Sequence, residues 1–391
     1  MQQTDIAIIG GGLAGSTAAA MLGRAGIAAI LIDPHKIYPP DFRCEKFDVA
    51  QVELLRKTGL GDAVFTAATL DEEISVARFG RLVEKRILRQ YGMLYDALVN
   101  TLRGAIPPQT RFVEAKATAI ATSADRQTVT LSTGEQISAR LVILSNGLNI
   151  GLRHTLGMTR DVISENHSIS VGFNLTPVGR PHFRFRALTY FPERADSRMA
   201  YLTLFPVGDT MRANLFLYRD IRDPLLREIR TAPEQALRAL MPSLEKLTGD
   251  FAVSGDIKIR PADLYVTAGH RQPGIVLAGD AFATSCPAAG TGTSKVLTDV
   301  ERLCNVYIPR WLQSQGMGRE KIAAYYDDPI KTACDDDSSD KAFYLRALST
   351  EMGLTWRARR WLRFLARLTV GTWRGGLSAP QDHRVATGSA G

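Results

Sequence analysis

Three glycines near the start of the chain stand at the spacing of a nucleotide-binding turn. They follow an apolar run at residues 5–9 and open an alanine-rich stretch that ends near Gly26. The pattern predicts a strand, a tight turn and a helix whose first backbone N–H groups bind a phosphate. The residues that we expect to contact the nucleotide are Gly10, Gly12, Leu13, Ala14 and Gly15.

An acidic residue closes the next predicted strand. Residues 28–33 form a second apolar run, which ends at Asp33, eighteen positions after Gly15. A carboxylate at this place accepts hydrogen bonds from the ribose diol of a dinucleotide. The glycines and Asp33 together predict a βαβ unit that binds a dinucleotide.

Size and composition place the chain among ordinary folded proteins. It has 391 residues, enough for two to three domains, with 45% hydrophobic and 23% charged residues. These values exclude disordered, collagen-like and disulfide-rich classes. The four cysteines are far apart and form no CxxC pair, so we expect neither a metal site nor disulfides. No signal peptide or membrane-spanning run is visible, and we expect a cytoplasmic protein.

A second glycine-rich motif lies far downstream. Residues 274–281 read as a buried strand that ends in Gly-Asp-Ala, and a loop with Gly-Thr-Gly leads into a helical stretch. At this motif the chain resembles the class A FAD-dependent monooxygenases, the p-hydroxybenzoate hydroxylase family. The resemblance implies that Asp280 bonds the ribityl chain and that the following helix start faces the flavin pyrimidine. The cofactor-binding residues that it implies here are Asp280, Pro287, Gly290, Thr291, Gly292 and Thr293.

Two further positions fit the resemblance, and one motif departs from it. Arg43 stands where the family places an arginine against the cofactor, and Ala117 falls where a strand would meet the adenine. The family's middle motif, Asp-Gly followed by Ser and Arg, is replaced by Asn146-Gly147 with Ile150 and Arg153. Asparagine preserves the turn and removes the charge.

The resemblance also implies an activity. FAD reduced by NAD(P)H reacts with dioxygen to give a C4a-hydroperoxide, which hydroxylates an electron-rich aromatic ring of the phenol or indole type. The substrate is either a small molecule or an aromatic group carried on a peptide or carrier protein. The alternatives are another flavin enzyme of the same fold, such as a halogenase or a polyprenyl reductase, and a partner-docking flavoprotein.

The predicted fold class is α/β: a Rossmann-like FAD-binding domain with an inserted antiparallel β-sheet substrate domain and a helical C-terminal region. The boundaries that we predict are 1–161 and 263–310 for the two parts of the FAD-binding domain, 162–262 for the sheet domain, and 311–391 for the basic helical region. The alternating pattern of residues 168–218 indicates the inserted sheet.

Candidate substrate contacts come from that sheet. Large polar and aromatic side chains recur along its predicted strands, and each has ordinary sheet packing as its alternative role. The six histidines are scattered singly, so the sequence assigns no catalytic base. The candidate residues are Arg186, Tyr190, Tyr201, Phe205 and Phe216.

The C-terminal region carries a concentrated positive charge. Residues 356–374 contain six arginines and no acid, interleaved with apolar residues, within a chain of formal net charge +8. This pattern is typical of a basic amphipathic helix that packs on the body, contacts an acidic protein partner or lies on a membrane surface. No nucleic-acid-binding motif accompanies the charge, so we do not expect a nucleic-acid partner.

Overall fold

The computed structural model describes residues 1–375, with side chains through residue 366. Its strands are β1 (Gln2–Ile9), β2 (Ala29–Asp33), β3 (Lys46–Phe47), β4 (Thr69–Arg78), β5 (Arg81–Gly92), β6 (Arg111–Glu114), β7 (Ala117–Ala121), β8 (Gln127–Leu131), β9 (Gln136–Leu144), β10 (Thr159–Pro177), β11 (Ala187–Phe191), β12 (Met199–Val207), β13 (Thr210–Leu217), β14 (Phe251–Ala268) and β15 (Ile275–Leu277).

The α-helices lie between and after these strands in the chain. They are α1 (Leu13–Arg24), α2 (Val49–Lys57), α3 (Gly61–Ala67), α4 (Tyr95–Gly104), α5 (Gly151–Thr155), α6 (Pro224–Thr231), α7 (Pro233–Leu240), α8 (Glu245–Thr248), α9 (Gly292–Arg302), α10 (Ile308–Trp311), α11 (Arg319–Tyr326), α12 (Pro329–Thr350) and α13 (Leu354–Gly375). α2 and α3 are separate helices, because Gly59 adopts a positive φ of 72° after the end of α2.

The first sheet is the nucleotide-binding framework. Its order is β6-β2-β1-β9-β8-β7, and β15 pairs with the end of β9. The pairs among β6, β2, β1, β9 and β15 are parallel, while β8 runs antiparallel to β9. The central strands are buried on both faces, which explains their continuous apolar runs. β15 brings residues 275–277 beside residues 142–144, so the downstream motif starts at the same sheet edge as the glycine turn.

The second sheet draws on more of the chain than the predicted insertion. Its order is β14-β10-β13-β12-β11-β4-β5-β3, so residues 46–92 supply three of its eight strands. The β11–β4 pair is parallel and the other pairs are antiparallel. The α/β fold class with a largely antiparallel second sheet is confirmed, while the domain boundaries stay a prediction.

The two faces of the second sheet have different neighbours. Because side chains alternate along a strand, Leu202, Leu204 and Leu215 point to one face, where α6 and α7 cover them. Tyr201, Thr203 and Phe216 point to the other face, toward the first sheet. The space that remains between the two sheets is the site described below.

The last helices pack in different ways. α12 is anchored on α9 by buried groups, whereas in α13 the side chains of residues 354–366 are mostly exposed. Residues 376–391 of the predicted C-terminal region lie outside the described residues. Within residues 1–375, no helix combines the length and the apolar character needed to cross a bilayer.

Candidate functional site

A cavity of about 1310 Å³ separates the two sheets. It is larger than the roughly 300–1,000 Å³ typical of small-ligand pockets. We call the side formed by residues 10–14, Asp33 and residues 279–293 the motif wall, and the side formed by strands of the second sheet the sheet wall. The predicted cofactor residues that line the cavity are Gly10, Gly12, Leu13, Ala14, Asp33, Arg43, Ala117, Asp280, Pro287, Gly290, Gly292 and Thr293.

Steric crowding explains the glycine turn. Gly10 has a positive φ of 97°, and a Cβ there would lie 2.6 Å from the carbonyl oxygen of Ser145. A Cβ at Gly15 would lie 1.9 Å from the carbonyl oxygen of Gly10. Gly15 therefore does not line the cavity; it lets α1 approach the turn. α1 begins at Gly12 without a side-chain cap, which leaves its positive end facing the cavity.

Asp33 is held in place by the turn that it follows. Its Oδ2 accepts a hydrogen bond from the Gly11 N–H at 2.7 Å, and its Oδ1 accepts one from the His35 N–H at 2.9 Å. Arg103 lies 3.3 Å from the same carboxylate and donates to the Gly11 carbonyl at 2.6 Å. A carboxylate has about four acceptor positions, so capacity for a further donor remains. Sequence reasoning missed Arg103, because nothing in its local pattern marks it.

Buried side chains hold the turn at residues 279–281, which we call the downstream turn. Tyr265 donates through its hydroxyl to the Asp280 carbonyl at 2.7 Å, and the Gly279 N–H donates to Asp299 Oδ2 at 2.9 Å. The Asp299 carboxylate also accepts from Lys331 Nζ at 2.7 Å, and both side chains are almost fully buried. Burial alone would lower the pKa of Lys331, but the charges of Asp299 and Asp335 raise it above its usual value. The turn thus rests on a buried ion pair.

Arg153 connects the middle motif to the downstream motif. Its guanidinium is fully buried and donates to the Ala281 carbonyl at 2.6 Å. It also donates to the carbonyls of Gly147 and Asn149 at 3.1 and 3.0 Å. One side chain therefore ties two turns at the mouth of the cavity, and Asn146 Oδ1 faces that cavity without a hydrogen-bond partner.

Arg43 and Asp280 meet across the cavity although 237 positions separate them in sequence. Arg43 Nη1 donates to Asp280 Oδ2 at 2.7 Å, and its Nε donates to Asp41 at 2.8 Å. Asp41 also accepts from Arg260. Burial would raise the pKa of Asp41, but the hydrogen bond and charge of Arg43, with the charge of Arg260, hold it below its ordinary value. The two distant motifs therefore share one charged cluster.

The sheet wall contains two of the predicted substrate residues. Tyr201 and Phe216 line the cavity with their ring centroids 5.0 Å apart. The Tyr201 hydroxyl donates to the Ala288 carbonyl at 2.5 Å, which joins the sheet to the loop before α9. These two rings form an aromatic surface opposite the motif wall.

The other three substrate candidates do not line the cavity. Tyr190 points to the opposite face of the sheet, into the core under α6 and α7, and its hydroxyl donates to Glu193 at 2.6 Å. Phe205 is buried against Ile74 and Ala187. Arg186 is exposed and lies 3.6 Å from Asp71. Side chains alternate between the two faces of a strand, and Thr189 and Phe191 face the cavity. The side chain of Tyr190, which lies between them, therefore points the other way.

The side chains of Thr291 and Cys286 contact other parts of the protein and not the cavity. The Thr291 hydroxyl shares a 2.6 Å hydrogen bond with Ser338 on α12, and Thr291 does not line the cavity. Cys286 is fully buried with its Sγ 3.6 Å from Ser168 Oγ. Both residues hold the loop before α9 in place from the side away from the cavity.

Sequence reasoning missed the polar groups of the sheet wall. Gln90 and Ser170 line the cavity and are nearly buried, and Gln90 Oε1 and Ser170 Oγ have no hydrogen-bond partner. Glu45 is held by two hydrogen bonds from Arg212, at 2.8 and 3.0 Å. None of the histidines among the described residues lines the cavity. These polar residues come from distant parts of the chain, and only the fold brings them together.

The cavity suits an FAD on grounds of its own geometry. The glycine turn leaves backbone where a Cβ would clash, and both α1 and α9 begin at the cavity without a side-chain cap. Two helix N-termini together favour a ligand with negative charge at separate places. A diphosphate and a flavin ring system have this distribution of charge.

Comparison with known proteins gives the family. Residues 3–308 match the FAD binding domain family, so the chain belongs to it. The chain is 29% identical to 3-demethoxyubiquinol 3-hydroxylase of Escherichia coli (strain K12), over 78% of this chain and 80% of that protein. It is 26% identical to ubiquinone hydroxylase UbiL of Rhodospirillum rubrum, over 83% of this chain and 76% of that protein.

The fold agrees with this assignment. The crystal structure of p-nitrophenol 4-monooxygenase PnpA from Pseudomonas putida DLL-E4 matches with a TM-score of 0.77 at 18% identity, covering 95% of both chains. The protein is thus a flavoprotein of the class A monooxygenase fold. With its relatives, it is an FAD-dependent monooxygenase of the aromatic hydroxylase group.

Proposed function

We propose that this enzyme hydroxylates the ring of a quinol or related phenol, using NAD(P)H and dioxygen. The observation that carries the proposal is one continuous cavity with the cofactor motifs on one wall and Tyr201, Thr203 and Phe216 on the other. An aromatic substrate in this space lies between the sheet wall and the flavin. The names of the two relatives, both hydroxylases of ubiquinone-type compounds, support a quinol as the substrate class.

The motif wall supplies the cofactor contacts in this proposal. The α1 N-terminus at Gly12 binds the diphosphate, and Asp33 accepts hydrogen bonds from the ribose diol. Asp280 binds the ribityl chain, while the α9 N-terminus at Gly292 faces the pyrimidine ring. Arg43 adds a positive charge near the diphosphate. Ala117 lies at the adenine end of the cavity.

The cofactor, when bound, supplies the oxygen-activating chemistry. The protein's own residues orient the substrate and exclude water from its ring. Tyr201 and Phe216 present flat apolar surface, and Gln90 and Ser170 supply unpartnered polar atoms that fix its orientation. This mixture of apolar walls and a few polar groups is typical of small-molecule sites.

The carboxylates of the sheet wall that line the cavity, Glu45 and Asp263, are both hydrogen-bonded, and Asp263 accepts from the Asn166 N–H at 2.7 Å. Glu45 is engaged by Arg212 through both oxygens, although burial raises its pKa. Among the described residues, no histidine lines the cavity. A quinol ring is electron-rich without deprotonation, so this site suits a substrate that needs no strong base.

Purified enzyme loaded with FAD tests the proposal. We expect a demethoxyubiquinol with a short side chain to stimulate NAD(P)H oxidation and to gain one oxygen atom from isotopically labelled dioxygen. Mass spectrometry of the product and oxygen consumption measure both results. NAD(P)H oxidation that produces only hydrogen peroxide, with no labelled product from any quinol or phenol, would contradict it.

A further inference from the structure

Within residues 354–366, α13 carries a largely exposed apolar face. Its residues are spaced i, i+4, i+7, i+8 and i+11: Leu354, Ala358, Trp361, Leu362 and Leu365. This spacing puts them on one side of a helix. Leu354, Leu362 and Leu365 are 80%, 65% and 51% exposed. A surface helix of a globular domain normally turns such a face inward.

A different stripe attaches α13 to the body. Trp356, Arg360 and Phe364 are half-buried, and Arg360 donates to the carbonyls of Leu348 and Glu351 at 3.0 and 2.8 Å. Phe79, at the tip of the β4–β5 hairpin, packs edge-on against Phe364 with centroids 5.8 Å apart. Phe79 also stacks on Trp361, with centroids 6.3 Å apart, so one edge of the apolar face touches the body. The position of the helix is set by these contacts, and Leu354, Leu362 and Leu365 remain exposed.

Positive charge borders the apolar face. Exposed Arg357 and Arg359 lie on its two sides, with Arg363 behind them. Residues 354–375 contain six arginines and no acid. Arginines that flank an apolar face rich in Trp and Leu are typical of helices that lie in the interface of an anionic membrane.

An apolar chamber of about 280 Å³ lies directly under α13. Ala200, Leu345, Leu348 and Phe364 contribute to its walls, and Arg78, Arg360 and Arg363 line it as well. Among the ion pairs of the described residues, none involves these three arginines. The chamber thus combines apolar walls with uncompensated positive charge.

The chamber adjoins the main cavity. Phe191, Tyr201 and Ala289 line both spaces, so these side chains form the partition between them. Two of the three are on the sheet wall, where the substrate ring lies in the proposed function. A chain attached to that ring needs to pass only this partition to reach the space under α13.

We propose that α13 lies on the surface of an anionic lipid bilayer with its apolar face inserted, and that the chamber beneath it holds the aliphatic chain of a substrate taken from that bilayer. The second half rests on the proposed function, whereas the first half does not. Charge and face geometry select a bilayer over an acidic protein, because the apolar face is flanked by arginines on both sides and exposes three leucines.

Vesicle sedimentation with the full-length, FAD-loaded protein tests the docking surface. We expect binding to phosphatidylcholine vesicles that contain phosphatidylglycerol, little binding to pure phosphatidylcholine, and release at about 1 M salt, where the Debye length falls to roughly 3 Å. The variant Leu362→Ser/Leu365→Ser should bind at least about tenfold more weakly, as should Arg357→Ser/Arg359→Ser. The exposed pair Arg227→Ser/Arg230→Ser on α6 is the matched control and should bind like the wild type.

Failure of the wild type to bind anionic vesicles would overturn the docking surface and favour an acidic protein partner. Equal binding by Leu362→Ser/Leu365→Ser would overturn it as well. Sedimentation does not depend on turnover. A protein that binds vesicles but hydroxylates no quinol would therefore refute the proposed function and leave the docking surface standing.

Substrate chain length tests the chamber. Ala195 is half-buried on the chamber wall, and Ala195→Phe fills part of the space without touching the motif wall. We expect kcat/KM to fall at least about tenfold for a decyl-chain quinol and to change less than about twofold for a short-chain quinol. Equal losses for both quinols, or no loss for either, would show that the chain lies elsewhere.

Discussion

The two walls of the cavity are constrained in different ways. On the motif wall, backbone geometry leaves few alternatives: a Cβ at Gly10 would lie 2.6 Å from the Ser145 carbonyl oxygen, and the Gly279 N–H is held by buried Asp299. On the sheet wall, Gln90 Oε1 and Ser170 Oγ have no hydrogen-bond partner, so these groups take no part in holding the sheet together. The comparison teaches that the first wall is constrained by its backbone, whereas on the second we expect single side chains to be exchangeable and, in the proposed function, to select the substrate.

The strongest way to break this comparison is to add one methyl group directly behind the motif wall, where α1 meets the glycine turn. Gly15→Ala puts a Cβ 1.9 Å from a backbone oxygen, so we expect the FAD-bound protein to be lost, at a cost above the usual roughly 1–3 kcal/mol of overpacking. Flavin absorbance and thermal unfolding measure it. Gly104→Ala is the control: a Cβ there meets nothing within 4 Å, and stability should stay the same or rise slightly. Normal FAD binding by Gly15→Ala would show that the turn tolerates movement.

The next largest effect is expected at the ion pair under the downstream turn. Asp299→Asn leaves buried Lys331 with Asp335 as its remaining carboxylate partner and weakens the acceptor for Gly279. We expect a loss of about 3–5 kcal/mol in the free energy of unfolding, together with weaker FAD binding. Chemical denaturation and flavin titration measure the two effects. Asp337→Asn breaks only an exposed pair with Lys341 and should change stability by less than about 1 kcal/mol.

A substitution on the sheet wall tests whether this wall affects the substrate without affecting the cofactor. Gln90→Leu removes an unpartnered oxygen that faces the cavity. We expect kcat/KM for the quinol to fall about tenfold, equivalent to about 1.4 kcal/mol, with FAD affinity unchanged. Steady-state kinetics and flavin titration distinguish the two effects. If FAD binding weakened while the KM for the quinol stayed the same, Gln90 would belong to the cofactor side.

The smallest effect is expected just behind the sheet wall. Tyr190→Phe removes the hydroxyl that donates to Glu193, on the face covered by α6 and α7. We expect a loss of about 1 kcal/mol in the free energy of unfolding, with kcat and KM within error of the wild type. Tyr201→Phe, on the neighbouring strand but facing the cavity, is the kinetic counterpart. A KM change in Tyr190→Phe larger than in Tyr201→Phe would contradict the assignment of the two faces.

The same contrast explains what the sequence could predict. The residues of the motif wall could be predicted from the sequence, because Gly10, Gly12 and Asp33 stand at spacings that only a particular backbone satisfies. The fold class followed from the two motifs and the alternating pattern between them. The contribution of β3, β4 and β5 to the second sheet was not foreseen, because pairing between distant strands leaves no local pattern.

The direction of individual side chains is the second feature that the sequence could not predict. Tyr190 and Tyr201 were equally good candidates by residue type, and only the register of β11 and β12 separates them. Arg103 and Lys331 reach the motifs from remote positions, so their spacing gives no signal. The basic amphipathic pattern of α13 was visible in the sequence, but which face would be exposed depended on the stripe that packs against the body.

The contacts of Arg153 have a consequence for how the enzyme is made. A ribosome releases the chain in order, so the emerging protein carries this arginine, and the bare edge of β9 at residues 142–144, more than a hundred residues before Ala281 and β15 exist to satisfy them. Until then a guanidinium without one of its acceptors and an open strand edge are present together. Because the turn that contains Asp280 also follows β15 in the chain, we expect flavin to be loaded only after nearly three hundred residues have been made.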